Sequence, residues 1–205
     1  LTLGWRWRHY KWPVTKDKPW IFIELPDKDL EFDDDFPTGD SLSGEDVTLE
    51  KIAESVFKDI NNMETAFIEV EVVPDDTDNP PADSNYTDSH AKGRTFTLTL
   101  EKPGNGTSTG RSNVKASGGK IKTCDIQIEN GKSGKDFMAV FAHEVGHCLG
   151  LDHPQDITHA VMSYFRTSNV YRYTIDDKIG ISTLYPDDDF DLDEKSTFGL
   201  SCTPN

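Results

Sequence analysis

Three histidines and two glycines inside eleven residues set the terms for this fold: His143-Glu-Val-Gly-His-Cys-Leu-Gly-Leu-Asp-His153. On an α-helix, residues four apart stand one turn above each other on the same face, so His143 and His147 can reach one metal ion from a single rigid element. Turn signals flank Phe137 to Leu149 and predict that helix at about 136–149. Gly150 sits where a left-handed residue would end it and send the chain back, so that His153 can add a third imidazole. Three neutral nitrogens with one position left open suit catalytic zinc. Glu144, about 100° around the helix from His143, is placed to be the base rather than a ligand. A bare H-E-x-x-H arises by chance in roughly one chain in a hundred at this composition; requiring Gly150 and His153 lowers that to on the order of one in a hundred thousand.

The remaining sequence bounds the setting. A length of 205 residues suits one domain, or one domain and a tail. With 21 Lys and Arg against 37 Asp and Glu, the net charge of −16 repels phosphate backbones and excludes nucleic acid as a partner. No apolar run reaches the roughly 18 residues of a membrane span, and no basic-then-apolar leader opens the sequence.

Four tryptophans, Trp5, Trp7, Trp12 and Trp20, precede a first strand at 21–25 and are expected to pack on the core rather than form a sugar platform. Apolar residues at helical spacing predict a helix over 45–61, with Ser43 as its N-cap. Alternation predicts strands at 66–73, 95–100 and 121–128, with a polar surface excursion at 74–92 and a Gly/Ser/Asn-rich loop before the last of them. Thr174 with Asp177 forms a capping box for a final helix that Pro186 stops after Tyr185, and an acidic tail follows. Cys124, Cys148 and Cys202 allow at most one bridge; Cys148 reads as a small buried apolar residue, and Cys202 as a partner for Cys124 or an autoinhibitory metal ligand. Two sequons, at Asn85 and Asn105, match no more often than chance.

The eleven-residue segment resembles the zinc signature of the metzincin metallopeptidases, and Val161-Met-Ser-Tyr164 is similar to the Met-turn of that clan. Pro154 after the third histidine and Met162-Ser-Tyr-Phe165 look like serralysins. The nine-residue step from His153 to Met162 and the approach Val140-Phe-Ala-His143 look like matrixins. The final helix at 176–185 is similar in both groups. The likeness is strong over 136–186, about a quarter of the chain. His9, His90 and His159 lack the spacing of the second, structural zinc site of matrixins; serralysin-type calcium repeats and a cysteine-switch propeptide are not recognisable.

The resemblance implies an α+β fold. It would have a twisted, mostly parallel sheet with an antiparallel edge strand, a backing helix, an active-site helix, and a smaller C-terminal subdomain with a final helix. A catalytic domain at 1–186 would divide into an upper part, 1–150, and a lower part, 151–186, with a tail at 187–205. It implies a secreted, monomeric zinc metalloendopeptidase that hydrolyses internal bonds of extended polypeptides through a zinc-bound water, with calcium as a structural ion. His143, His147 and His153 would hold zinc, Glu144 would act as base and Tyr164 would stabilise the oxyanion above a Met162 floor. Ala139 and Val140 would line an open S1′ pocket selecting large hydrophobic P1′ residues, provided Phe165, Tyr171 or Tyr173 does not plug it. The competing expectation is a catalytically silent zinc-binding or adhesion module on the same shell, against which Glu144 stands.

Overall fold

The computed structural model of the chain describes residues 6–104, 108–129, 133–154, 158–164, 167 and 169–187. Its elements run β1 (Arg6–Trp7), β2 (Trp20–Glu24), α1 (Leu49–Asn61), β3 (Glu69–Val72), α2 (Asp88–Ala91), β4 (Thr95–Thr99), β5 (Gly110–Ser117), β6 (Lys120–Ile128), α3 (Gly134–Leu149), β7 (Leu151–Asp152) and α4 (Ile175–Leu184). Five strands form one sheet in the order β3-β2-β4-β6-β5, parallel throughout except for the antiparallel β5–β6 pair. The expected mixed α+β architecture is present, with β5 as the antiparallel edge.

Burial explains the strand sequences. Ile21, Phe22 and Ile23 are consecutive and all fully buried, as a parallel inner strand covered on both faces requires. Ile21 and Ile23 join the main core, while Phe22 meets Tyr86 edge-on at 5.3 Å. The 74–92 excursion therefore covers part of the second face of the sheet. Glu71 ties it down by accepting hydrogen bonds from Ser84 Oγ and from Asn85 N and Nδ2.

The edge strand lies inside the segment the sequence reading leaves as a loop. Gly110-Arg-Ser-Asn-Val-Lys-Ala-Ser117 carries mostly polar side chains because one backbone edge and much of its surface face solvent, so no apolar alternation marks it. The signal it does carry is Gly118-Gly119. Both have positive φ, 58° and 72°, the two-residue turn whose twist matches the flanking strands.

Helix α1 starts at Leu49, later than expected, with Thr48 rather than Ser43 as its cap. The chain before it is held by backbone hydrogen bonds, Phe32 N to Val47 O at 2.8 Å and Leu49 N to Leu30 O at 2.9 Å, and Thr48 is extended. Its apolar stripe, Leu49, Ile52, Ala53, Val56, Phe57 and Ile60, is buried as the spacing predicts. Phe57 meets Phe141 of α3 with ring centroids 6.0 Å apart.

Cys124 of β6 and Cys148 of α3 form a disulfide, with Cα atoms 5.6 Å apart. This corrects the reading of Cys148 as a plain buried apolar residue and of Cys202 as the partner of Cys124. The bridge spans a sequence separation of 24, and closing a loop of that size is worth about 3 kcal/mol on the chain-entropy argument. Sequence spacing cannot reveal the pairing, because it depends on α3 crossing the sheet at β6. Trp5, the Trp7 side chain, Asn105, Phe165, Cys202 and the tail beyond Asp187 lie outside the described residues.

Candidate metal centre and cleft

Helix α3 is prepared at both ends. Ser133 caps it, and Gly134 is placed against the Asp33 carbonyl, where a Cβ would stand 2.9 Å from that oxygen. Asp35 accepts from Lys135 N at 2.7 Å, so one member of the acidic run at 33–35 sits at the positive end of the helix. Gly150 ends the helix with φ at 105°, and a Cβ there would collide with the Tyr10 carbonyl. Leu151-Asp152 then pairs antiparallel with Arg6-Trp7, and His153 follows at the turn back.

The result is a convergence of three imidazoles. His153 Nε2 lies 3.0 Å from His143 Nε2 and 3.1 Å from His147 Nε2. On the far side of two rings, His143 Nδ1 faces the Val161 carbonyl at 2.7 Å and His147 Nδ1 faces Leu151 O at 2.9 Å. Carbonyls only accept, so those Nδ1 atoms carry the protons and both Nε2 lone pairs point to the common centre. Burial, reinforced by the neighbouring His143, pushes His147 well below its ordinary pKa and His153 down to about 4. Neutral rings with lone pairs facing one another are mutually repulsive unless a cation sits between them. This donor set fits zinc, and among the described residues it is the one group of three or more potential metal-ligating side chains.

Around this centre opens a cleft of about 590 Å³. Glu144 is 6% exposed and lines it beside the histidines. Strand β5 forms the opposite wall at Ser108 to Ser112. Gly110 brings that strand so close that a Cβ would meet Val140 Cγ1 and stand 2.9 Å from Glu144 Oε1. Tyr164 stacks on His153 with centroids 3.5 Å apart and is 72% exposed at the cleft, which explains an aromatic residue left open to solvent. Met162 is buried under the site, and its Sδ occupies the space where a side chain at Gly146 would go.

The two expected pocket residues separate. Val140 lines the cleft, whereas Ala139 is buried and is not among the lining residues. Tyr171 turns to Asp40, to which its hydroxyl donates at 2.9 Å, and buried Tyr173 donates to Ala142 O at 2.6 Å, so neither fills the cleft.

Sequence reading missed the supports. Asp177 is visible there only as a capping-box residue. It also accepts from Val161 N at 3.0 Å and Met162 N at 3.1 Å, besides Thr174 N and Oγ1, and so fixes the turn whose carbonyl orients His143. Burial pushes its carboxyl pKa up against these bonds. The end of α3 is closed by distant residues. Trp12 Nε1 donates to Cys148 O at 2.8 Å, Tyr185 OH to Leu149 O at 2.7 Å, and Arg8 N to Gly150 O at 2.9 Å. No local pattern announces these contacts, since each joins residues far apart in the chain.

The model of the matrixin family of peptidases matches residues 26–186. Over 61 residues, 29% of this chain, the sequence is 39% identical to Matrix metalloproteinase-B of Caenorhabditis elegans, and the match spans only 12% of that protein's length. The solved GM1 bound form of the ECX AB5 holotoxin is similar with a TM-score of 0.53 and 12% identity, covering 90% of this chain and 89% of that one. At that identity the likeness is one of fold.

Proposed function

Because the chain belongs to the matrixin family, we propose that it is a zinc-dependent metalloendopeptidase acting on extended polypeptides. The observation that carries the proposal is the meeting of three Nε2 atoms beside Glu144 in an open cleft. Zinc held by His143, His147 and His153 would supply a Lewis acid that makes water nucleophilic near neutral pH and polarises a carbonyl. The rest falls to the chain's own groups. Glu144 takes the proton from the attacking water and delivers it to the leaving amine. Tyr164, above His153, offers its hydroxyl to the oxygen on which negative charge develops. Strand β5, an unpaired edge along the cleft, aligns the substrate by main-chain hydrogen bonds.

Selection of large hydrophobic P1′ residues extends this proposal. It rests on family resemblance, on Val140 in the cleft wall and on Tyr171 and Tyr173 turning elsewhere. Secretion is proposed on the same resemblance, supported by the Cys124–Cys148 bridge, since disulfides persist in oxidising compartments. Structural calcium, a catalytic domain ending near 186 and a monomeric state belong to the proposal by resemblance alone.

Fluorogenic peptides varied at P1′, incubated with and without a chelator and after zinc is restored, test the reading. Cleavage abolished by the chelator, recovered with zinc and fastest before Leu, Met or Phe is expected. A zinc-loaded protein that cleaves nothing would leave the silent-module reading in place, and a flat P1′ profile would remove only the hydrophobic preference.

A further inference from the structure

The cleft departs from the molecule's overall charge. The chain carries −16, with 37 acidic residues, yet Glu144 is the single acid among the described residues lining the cleft. Two of the chain's six arginines, Arg8 and Arg111, line it as well, and no described lysine does.

The two arrive from opposite sides. Arg8 follows β1 and is anchored by its backbone N–H to Gly150 O at 2.9 Å, beside the β7 segment that leads into His153. Its side chain is 29% exposed, with Nε in an ion pair with Asp152 Oδ1 at 3.6 Å and Nη1 3.4 Å from Tyr10 OH, which leaves part of its donor fork for a ligand. The guanidinium is thus oriented but not saturated. Arg111 is exposed on β5, next to Gly110, the residue that leans on Val140 and Glu144. Both line the cleft in which a substrate aligned along β5 would lie.

We propose that Arg8 and Arg111 are specificity-determining residues that select acidic side chains, Asp or Glu, close to the scissile bond of the substrate. The inference rests on the peptidase reading above and narrows its substrate class. A planar guanidinium matches a carboxylate with two parallel donors, a geometry that a neutral side chain cannot exploit. The acidic surface does not cancel this attraction. The Debye length is about 8 Å at physiological ionic strength, so remote carboxylates are screened while contacts inside the cleft are not.

Peptide pairs that differ only in Glu against Gln, or Asp against Asn, are scanned from P3 to P3′ with the zinc-loaded full chain. The readout is the ratio of kcat/KM within each pair, so a partly misfolded preparation does not distort it. We expect the acidic member to be favoured roughly tenfold or more at one or more positions, the size of one charge-assisted hydrogen bond. Arg8→Gln should lower that ratio towards one, and Arg8→Lys should restore part of it. Arg111→Glu, at an exposed position that folding tolerates, should favour Lys-bearing peptides instead. Fluorescence anisotropy of the same pairs on the Glu144→Ala protein should give the same ranking without turnover. Cleavage with ratios near one throughout, or ratios unchanged in both the Arg8→Gln and Arg111→Glu proteins, overturns the assignment and leaves the peptidase reading intact. Absence of all cleavage overturns both.

Discussion

At the scale of single residues the metal centre divides labour in a way that substitutions can separate. Glu144→Ala leaves three imidazoles in place and removes the proposed base, so zinc content should stay near one per chain while kcat/KM falls by about 10²–10⁴-fold. His147→Ala deletes a buried donor, and the purified protein should lose its zinc as read by elemental analysis. Retained turnover in the first protein, or retained zinc in the second, contradicts the assigned roles. Tyr164 presents a different case, since its ring packs on His153 but its hydroxyl is open to the cleft. Tyr164→Phe keeps the stack and removes the donor, so kcat should drop about 10²–10³-fold with KM little changed. An unaltered kcat would reduce the tyrosine to a packing residue. His143 and His147 were legible as a pair because residues four apart on a helix share a face whatever the rest of the chain does, whereas Tyr164 lies outside that helix and entered only through the family resemblance. Ala139 came from a family alignment position instead, which does not say which neighbours bury a side chain; it is buried and is not among the residues lining the cleft.

Elements are where the sequence fell silent. Helix α1 could be read from periodicity though not from its cap, α3 and α4 from their turn and cap signals, and the inner strands chiefly from apolar alternation. Strand β5 could not, because an exposed edge has no core to encode. The closure of α3 was invisible for another reason: its last carbonyls are met by Arg8, Trp12 and Tyr185, contacts of the folded state alone. Tyr185 is fully buried, and its oxygen donates to Leu149 O and accepts from Trp12 N at 3.1 Å. Tyr185→Phe strands both partners without water. It should cost about 1–3 kcal/mol in denaturant unfolding and loosen metal binding, because the strand that leads into His153 begins at that helix end. A stability within error of the parent would show that the bonds contribute nothing net.

Across the whole molecule, loops and helices are tied by a charged knot beside α1. Arg172 donates to Asp40 from Nε at 3.0 Å and from Nη2 at 2.9 Å, reaches Asp59 at 3.3 Å and Ser55 at 2.9 Å, while Tyr171 also binds Asp40. Burial alone would push the Asp40 carboxyl up. Hydrogen bonds from Arg172, the Leu42 N–H and Tyr171, with the Arg172 charge, outweigh it and hold the group down at about 2. A folded value below the unfolded one, about 3.9, means stability that is present above that value and lost as pH falls towards 2. Asp40→Asn should therefore unfold at lower urea than the parent at pH 6, with the gap narrowing between pH 4 and 3; a gap independent of pH refutes the linkage. None of this could be read from sequence, where Asp40 and Arg172 are two unremarked charges more than a hundred positions apart. Order of synthesis gives the Asp177 contact a further meaning. A ribosome adding about 5–20 residues per second delivers His143 seconds before Asp177, and until Asp177 arrives the turn that holds the His143 ring lacks the two hydrogen bonds from Val161 N and Met162 N to that carboxylate. The nascent chain thus carries its histidines before their setting is finished, and full ordering of the His143 ring waits on the arrival of the last helix.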